Sequence, residues 1–524
     1  MFRDIAETQE KHPLWYAFWT RVPGMVAGGI ILWIMIGYSI FIATWNEQSI
    51  FSVWSLILIY FIRWFIRGCE YIVSTTSALF TLKKYEKYNW KNIISNPTTP
   101  QEQFTAWEML SDIKVQDVIH RCIIPMYNED PHIVYETVEA IALSGYDLSR
   151  IAVTIQGEWA KEENCRSTIA LCQKLAGRFW YFWYTIHHLL PGEVPGKWAN
   201  ITYGAETLYP EILAHFSTTT DRVLVTTLDA DNKVDPDYFS VLTYTYLKTP
   251  NRKHASYQPV IFFFNNFWQA PFFSKVTSLF NTFWILFNFT KKYWPRNFSS
   301  HAQPLDGLID SHFWSNQTIV EDGHQYRRSY FATNGNHECV PVYAKIYQDC
   351  NLSTSRRATV KAQYNQMRRW AHGAQDLAYV RCQMLDHRNT CSRSRMVFEF
   401  GRLLEWVILW STLHTVLLSG IAFSFVKDIT LSSYLSLGSA ISIFTNVAFT
   451  LTITSLLLTL FVFPYNTIPT RAEKWKRMSS FLLYFFIFVG PSLIIFSGLP
   501  ALHTQLALML GKPMKKFNVT IKVR

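Results

Sequence analysis

Val223-Leu224-Val225-Thr226-Thr227-Leu228-Asp229-Ala230-Asp231-Asn232 is a β-branched, apolar run that stops at two carboxylates one residue apart. On an extended strand residues i and i+2 point the same way. A strand from Arg222 to Leu228 therefore predicts that Asp229 and Asp231 face one hard divalent cation at its end, the arrangement that holds a diphosphate. At ordinary aspartate usage such a triplet arises by chance about once in a chain of this length, commonly on a solvated turn. The surrounding sequence decides between the two.

Upstream, Val118 to Pro125 reads as a strand, Glu129 to Leu143 as a helix and Ile151 to Ile155 as the next strand. With the later strand, this order predicts a mostly parallel sheet covered by helices, with ligands at the carboxyl ends of the strands. The α/β region extends from about residue 85 to 402 and contains no uncharged stretch long enough to span a bilayer. Ser274 to Thr290, aromatic but interrupted by Asn281 and Asn288, suits an amphipathic helix lying on a membrane.

The flanks differ in kind. The chain has 524 residues, 49% hydrophobic and 16% aromatic, a formal charge of +11 and a mean hydropathy of only +0.04. Membrane segments are therefore expected beside a soluble domain. Residues 1–23 read as an interfacial N-terminus, and residues 24–80 hold two spans, Gly24 to Thr44 and Ser49 to Gly68, with Arg63 and Arg67 placed to snorkel. Lys83, Lys84, Lys87 and Lys91 follow, which puts the α/β domain in the cytosol. Residues 403–511 hold three or four transmembrane or re-entrant helices, with a break at Gly498-Leu499-Pro500, and residues 512–524 form a basic cytosolic tail. The reading is a multi-pass protein of the plasma membrane. The basic residues track the ends of apolar segments and form no patch, which argues against nucleic-acid binding. Eight cysteines (Cys69, Cys122, Cys165, Cys172, Cys339, Cys350, Cys382 and Cys391) show no CxxC or zinc spacing and read as reduced structural thiols.

Several polar groups sit where strands end. Asn128 and Glu129 follow the first strand, where either suits a ribose or base edge and Asn128 equally suits a helix N-cap. Glu158, in Gln156-Gly157-Glu158, offers a second acceptor. Pro195-Gly196-Lys197-Trp198-Ala199-Asn200 sets a lysine behind small backbone near a helix start, a way to meet phosphate, although a lone lysine is more often solvated. Adjacent Glu321 and Asp322 end the apolar run Thr318-Ile319-Val320. Their repulsion favours protonating one of them, which suits proton abstraction from a hydroxyl. Gln366, Arg369 and Trp370 fall at i, i+3 and i+4, so a helix here displays amide, guanidinium and indole on one face.

In this order and at these intervals, Asn128-Glu129, Lys197 to Asn200, Asp229-x-Asp231, Glu321-Asp322 and Gln366-x-x-Arg369-Trp370 resemble membrane-embedded family 2 glycosyltransferases, the relatives of cellulose, chitin and hyaluronan synthases. The resemblance implies a GT-A-type (Rossmann-like) cytosolic domain inserted between α-helical transmembrane segments. It also implies an inverting hexosyltransferase, a nucleotide-diphosphate sugar donor of the UDP-sugar type, and Mg²⁺ or Mn²⁺. Carried over, Asp229 and Asp231 hold the metal and Asp229 the donor's diphosphate, while Asn128, Glu129, Glu158, Lys197 and Asn200 serve the donor. Asp322 is the general base beside Glu321, and Gln366, Arg369 and Trp370 line the acceptor terminus and leaving diphosphate.

Two departures stand out: Gln156-Gly157-Glu158 replaces the aspartate many relatives carry after the second strand, and no glycine-rich acceptor motif is visible in Ser299 to Asp310. The expected product is a growing polysaccharide, coupled to export with accessory export or regulatory subunits. A single transfer to a lipid-linked acceptor is the alternative, and a catalytically silent scaffold or transporter component is the reading from another class.

Overall fold

The computed structural model describes residues 4–44, 47–95, 112–290, 297–423 and 470–514, with scattered positions between 446 and 458. Its centre is an eight-stranded sheet formed by β1 (Ile119–Pro125), β2 (Ile151–Glu158), β3 (Tyr181–His187), β4 (Val223–Thr227), β5 (Lys233–Val234), β6 (Ala255–Phe262), β7 (His301–Pro304) and β8 (Glu338–Tyr347). The spatial order is β3-β2-β1-β4-β7-β6-β8-β5. The first four are parallel, as the sequence predicts. The far half is not: β7 runs antiparallel to β4 and β6, β8 is parallel to β6, and β5 is antiparallel to β8. The sheet is mixed because the four-residue β7 sits between β4 and β6 and runs antiparallel to both.

The helices are α1 (Ile5–Lys11), α2 (Pro13–Thr44), α3 (Glu47–Tyr85), α4 (Trp90–Ser95), α5 (Pro131–Ala142), α6 (Glu162–Cys172), α7 (Lys197–Phe216), α8 (Tyr238–Lys248), α9 (Phe272–Asn288), α10 (Leu305–Asp310), α11 (Glu321–Ala332), α12 (Arg356–Ala371), α13 (Asp376–Asp386) and α14 (Arg393–Phe423). A C-terminal helical run follows from Arg471 to Met509.

Strand alternation sorts the core. Ile119 and Ile123 of β1, with Val223 and Val225 of β4, meet Trp198, Ile201 and Ala205 of α7 on one face. Cys122, Ile124 and Leu224 meet α5 and α8 on the other. Both faces are covered, so β1 and β2 are buried throughout, and the polar residues they carry are paired. His120 bonds Thr243 Oγ1 at 2.8 Å, and Arg121 donates to the carbonyls of Gly204 and Ala205 at 2.7 and 3.0 Å. Those two bonds draw α7 close to the sheet. At Gly204 an added Cβ would lie 2.2 Å from Gln156 Oε1, so only glycine permits the approach.

A second core joins β6 to α9, to Ala78, Leu79 and Leu82 of α3, and to Phe481, Phe485 and Val489 of the C-terminal run. The helix predicted near 274–290 is thus α9, with most of its residues buried. Among the described residues two helices are long and apolar enough to cross a membrane, Pro13–Thr44 and Ala472–Met509. The first begins ten residues before the predicted Pro23 boundary. In the second, the break expected at Gly498-Leu499-Pro500 is absent. Ile494–Gly498 forms a π-helical turn, and the helix continues directly through Leu499 and Pro500. Arg63 and Arg67 pair with Glu405 of α14 instead of reaching outward. Most of the fourth predicted span, Leu437 to Phe463, and the tail beyond Met514 lie outside the described residues. All eight cysteines are free, and every one except Cys69 is buried.

Candidate active site

The strand carrying the opening motif ends at Thr227, two residues before the first carboxylate. Asp229 and Asp231 therefore sit in a turn. Asn232 builds it: its N–H donates to the Asp229 carbonyl at 3.0 Å while its side-chain oxygen accepts the Asp229 N–H at 2.9 Å. This self-contained turn outcompetes further sheet pairing. Asp229 accepts from Lys197 Nζ and from Gln348 Nε2. Asp231 is nearly inaccessible, and its Oδ2 accepts the Asp349 N–H at 3.0 Å.

Both line a cavity of about 190 Å³ at the carboxyl ends of β1, β2 and β4. Lys197 enters it from the first residue of α7. Its ammonium also donates to the Ser299 carbonyl at 3.0 Å and lies 4.3 Å from the Trp198 ring centroid. Lys197 is thus a largely buried ion-pair partner and not a solvated lysine.

Glu321 and Asp322 open α11 on the opposite wall. Burial, then the adjacent Asp322, pushes Glu321 well above the usual carboxylate range. Burial also raises Asp322, against the Gly323 N–H it accepts at 2.8 Å and the nearby Lys197. Arg356–Ala371 forms the expected helix, started by Ser355, whose side chain accepts the Ala358 N–H. Gln366, Arg369 and Trp370 share its cavity-facing side. Burial lowers the Arg369 pKa, while Glu321, Asp229 and Asp322 oppose that shift.

Glu129, Glu158 and Asn200 also line the cavity. Glu129 accepts the Tyr127 N–H at 2.7 Å, and burial raises its carboxyl; burial likewise raises Glu158, against a hydrogen bond from Asn200. Asn128 is the exception. It is exposed, is not part of the lining, and does not cap the next helix, because Asp130 does so with Pro131 behind it. Sequence reading passed over Gln348 and Asn232, which position the Asp229 turn. Gln348-Asp349 directly follows β8, so a polar pair after an apolar strand was the available signal.

The lining is strongly anionic. Six carboxylates (Glu129, Glu158, Asp229, Asp231, Glu321, Asp322) face two cations, Lys197 and Arg369. Among the described residues no three His, Cys, Asp or Glu side chains gather as a metal cage. A hard cation here would draw on Asp229 and Asp231 and complete its shell with phosphate and water, a donor set that Mg²⁺ accepts.

Residues 224–467 match the sequence profile of Glycosyl transferase family group 2. Over that region the chain is similar to family 2 glycosyltransferases. The matched region opens in β4 and contains Asp229, Asp231, Glu321, Asp322, Gln366, Arg369 and Trp370; the lining residues upstream of it precede the match. The region that holds the cavity is an α/β domain with a mixed sheet. No curated protein sequence matches the chain. Solved structures similar to this chain include the mannosyltransferase PcManGT from Pyrobaculum calidifontis in complex with GDP-Man and Mn²⁺, at 11% identity over 75% of this chain and 97% of that chain, TM-score 0.41. GalNAc-T7 with UDP, GalNAc and Mn²⁺ is 11% identical over 54% and 57%, TM-score 0.34. S. aureus TarS 1–349 in complex with UDP-GlcNAc is 11% identical over 58% and 81%, TM-score 0.32.

Proposed function

We propose that this protein moves a sugar from a nucleotide-diphosphate donor, of the UDP-sugar type, to a hydroxyl at the end of a growing polysaccharide, with inversion. The observation that carries the reading is the convergence of Lys197, Asp229, Asp231, Glu321, Asp322, Arg369 and Trp370 on one cavity. With every carboxylate ionised, six against two cations leaves a formal charge of −4. A diphosphate enters such a site only if positive charge comes with it or protons remain on the carboxylates. Both conditions fit: Asp229 and Asp231 would hold Mg²⁺ or Mn²⁺, and Glu129, Glu158, Glu321 and Asp322 all have raised pKa values. A bound divalent cation supplies charge neutralisation at the diphosphate.

The chain's own residues account for the rest. Lys197 and Arg369 meet the charge that grows on the leaving diphosphate as the anomeric carbon–oxygen bond breaks. Glu321, the more strongly raised of the adjacent pair, keeps its proton. Asp322 takes the proton of the acceptor hydroxyl as that oxygen bonds the anomeric carbon from the opposite face, so one displacement inverts the centre. Trp370 offers an apolar ring face to the acceptor sugar, and Gln366 an amide. Glu158, at the end of β2, and Asn200, in the first turn of α7, suit the nucleoside.

The long apolar helices on both flanks support a multi-pass membrane setting with this domain in the cytosol, where nucleotide sugars are made. The test is a panel of nucleotide sugars with purified protein, with and without Mg²⁺ or Mn²⁺, reading nucleoside diphosphate release and product length. Metal-dependent release with a ladder of products is expected. One added sugar would replace the polymer reading by single transfer, and no release with any donor would overturn the assignment.

A further inference from the structure

The polar underside of α11 is held by the start of the chain. α11 is buried along most of its length although its sequence, EDGHQYRRSYFA, is rich in charge. Its His324 and Arg328 both face Asp4, more than 300 residues away in sequence. One Asp4 oxygen lies 3.6 Å from His324 Nε2, and the other lies 3.4 Å from Arg328. The same carboxylate accepts the Ile5 N–H at 2.8 Å and the Ser315 hydroxyl at 3.1 Å, and the Ala6 N–H donates to Gln317 at 2.7 Å. Asp4 to Ala6 thus grips both sides of the Glu321-Asp322 corner: the loop that enters it through Ser315 and Gln317, and the helix that leaves it through His324 and Arg328.

The grip is anchored behind. His324 Nδ1 bonds Asp376 of α13 at 2.8 Å, and Arg327 pairs with the same carboxylate. α1 and its junction with α2 lie along α13: Thr8 accepts from Gln383 at 2.8 Å, His12 meets Asp386 at 3.0 Å, and Lys11 also pairs with Asp386. α2, one of two helices among the described residues long and apolar enough to cross a membrane, starts directly after. Burial alone would raise the Asp4 carboxyl, but Arg328, His324 and the Ile5 N–H hold it well below the usual range.

We propose that Asp4 is a positioning residue for the reaction: it fixes the turn bearing Glu321 and Asp322, and so ties the geometry of the proton acceptor to the seating of the first membrane helix. This rests on the function proposed above. Proper placement of a catalytic group within about 1 Å is worth up to 100-fold in rate, and Asp4 contacts both flanks of the turn that sets it.

The experiment compares full-length wild type, Asp4→Asn and Asp4→Glu in the same membrane mimetic. It reads kcat, donor KM, and hydrogen exchange of residues 321–332. Asp4→Asn is expected to lower kcat about tenfold or more with donor KM within about twofold, and to speed exchange in the first turn of α11; Asp4→Glu recovers part of both. Unchanged kcat per folded molecule in Asp4→Asn overturns the proposal, as does a lowered kcat with exchange in α11 unaltered. If wild type transfers no sugar, the proposed function fails on its own, and the exchange arm still decides whether Asp4 holds the corner.

Discussion

Replacing Lys197 by methionine keeps the length and apolar stem of the side chain and removes the ammonium. In the folded protein that ammonium pairs with Asp229, donates to the Ser299 carbonyl and lies over Trp198, with the paired side chains 12% and 23% exposed. A pair this sheltered lies between a surface ion pair, worth at most about 1 kcal/mol, and a buried one whose breakage costs about 3–5 kcal/mol. Asp229 keeps the Gln348 amide and the Asn232 turn, so the loss in fold stability stays near 1 kcal/mol. Catalysis loses more, because the variant presents a diphosphate with an unneutralised Asp229 and one cation, Arg369, against six carboxylates. Charge-assisted hydrogen bonds contribute about 1.5–3 kcal/mol each, so kcat/KM for the donor should fall roughly 10- to 150-fold. Initial rates of nucleoside diphosphate release, with a thermal melt as control, measure both quantities. Lys197→Met retaining kcat/KM within about threefold, while Asp229→Asn collapses it, would refute the reasoning and leave Lys197 a structural counter-ion.

Asp322→Asn should lower kcat on the order of 100-fold or more with donor affinity preserved, measured by single-turnover transfer and donor binding. The raised Glu321 and Asp322 carboxyls hold more proton folded than unfolded, so their contribution to stability is complete at low pH and is lost as pH rises through their folded values. Glu321→Gln should consequently melt higher than wild type at neutral pH, with the gap closing in acid, while transfer falls. In the wild type, the acid limb of the rate profile should lie above the ordinary aspartate range, because Asp322 must be ionised to act. Gly204→Ala forces a methyl toward buried Gln156 and should cost about 1–3 kcal/mol in denaturant unfolding. Trp370→Ala should raise acceptor KM with little change in donor KM, read in transfer assays at varied acceptor concentration.

The site was more legible in the sequence than the fold around it. Asp229, Glu321 and Arg369 announced themselves because each ends or lines a regular element whose period places side chains without knowledge of the rest. What was not legible depended on partners distant in the chain. Nothing local in His301–Pro304 says that it will pair antiparallel to β4, so the sequence reads no further than a mostly parallel sheet. Asn232 and Gln348 shape the Asp229 turn through bonds that exist only after folding, and the carboxylates were therefore assigned to the end of a strand. Asp4 lies in a short amphipathic segment that resembles many membrane-proximal N-termini, and its partners begin at Ser315.

The π-helical turn at Ile494–Gly498 takes up one residue more than an α-helical turn, and Gly498 leaves room there for His414, whose Nδ1 would lie 2.1 Å from an added Cβ. Beyond it, Thr504 donates to the Arg368 carbonyl at 3.1 Å and His503 meets Tyr364 at 3.2 Å, both on the helix that carries Arg369 and Trp370. Each residue of an α-helix advances the azimuth by about 100°. The extra residue thus acts as a phase shifter, and a one-residue deletion at 494–498 would swing His503 and Thr504 away from the Arg369 helix while leaving the apolar length almost unchanged. Hydropathy would score such a deletion as silent, yet the cavity wall formed by Gln366, Arg369 and Trp370 would lose its footing.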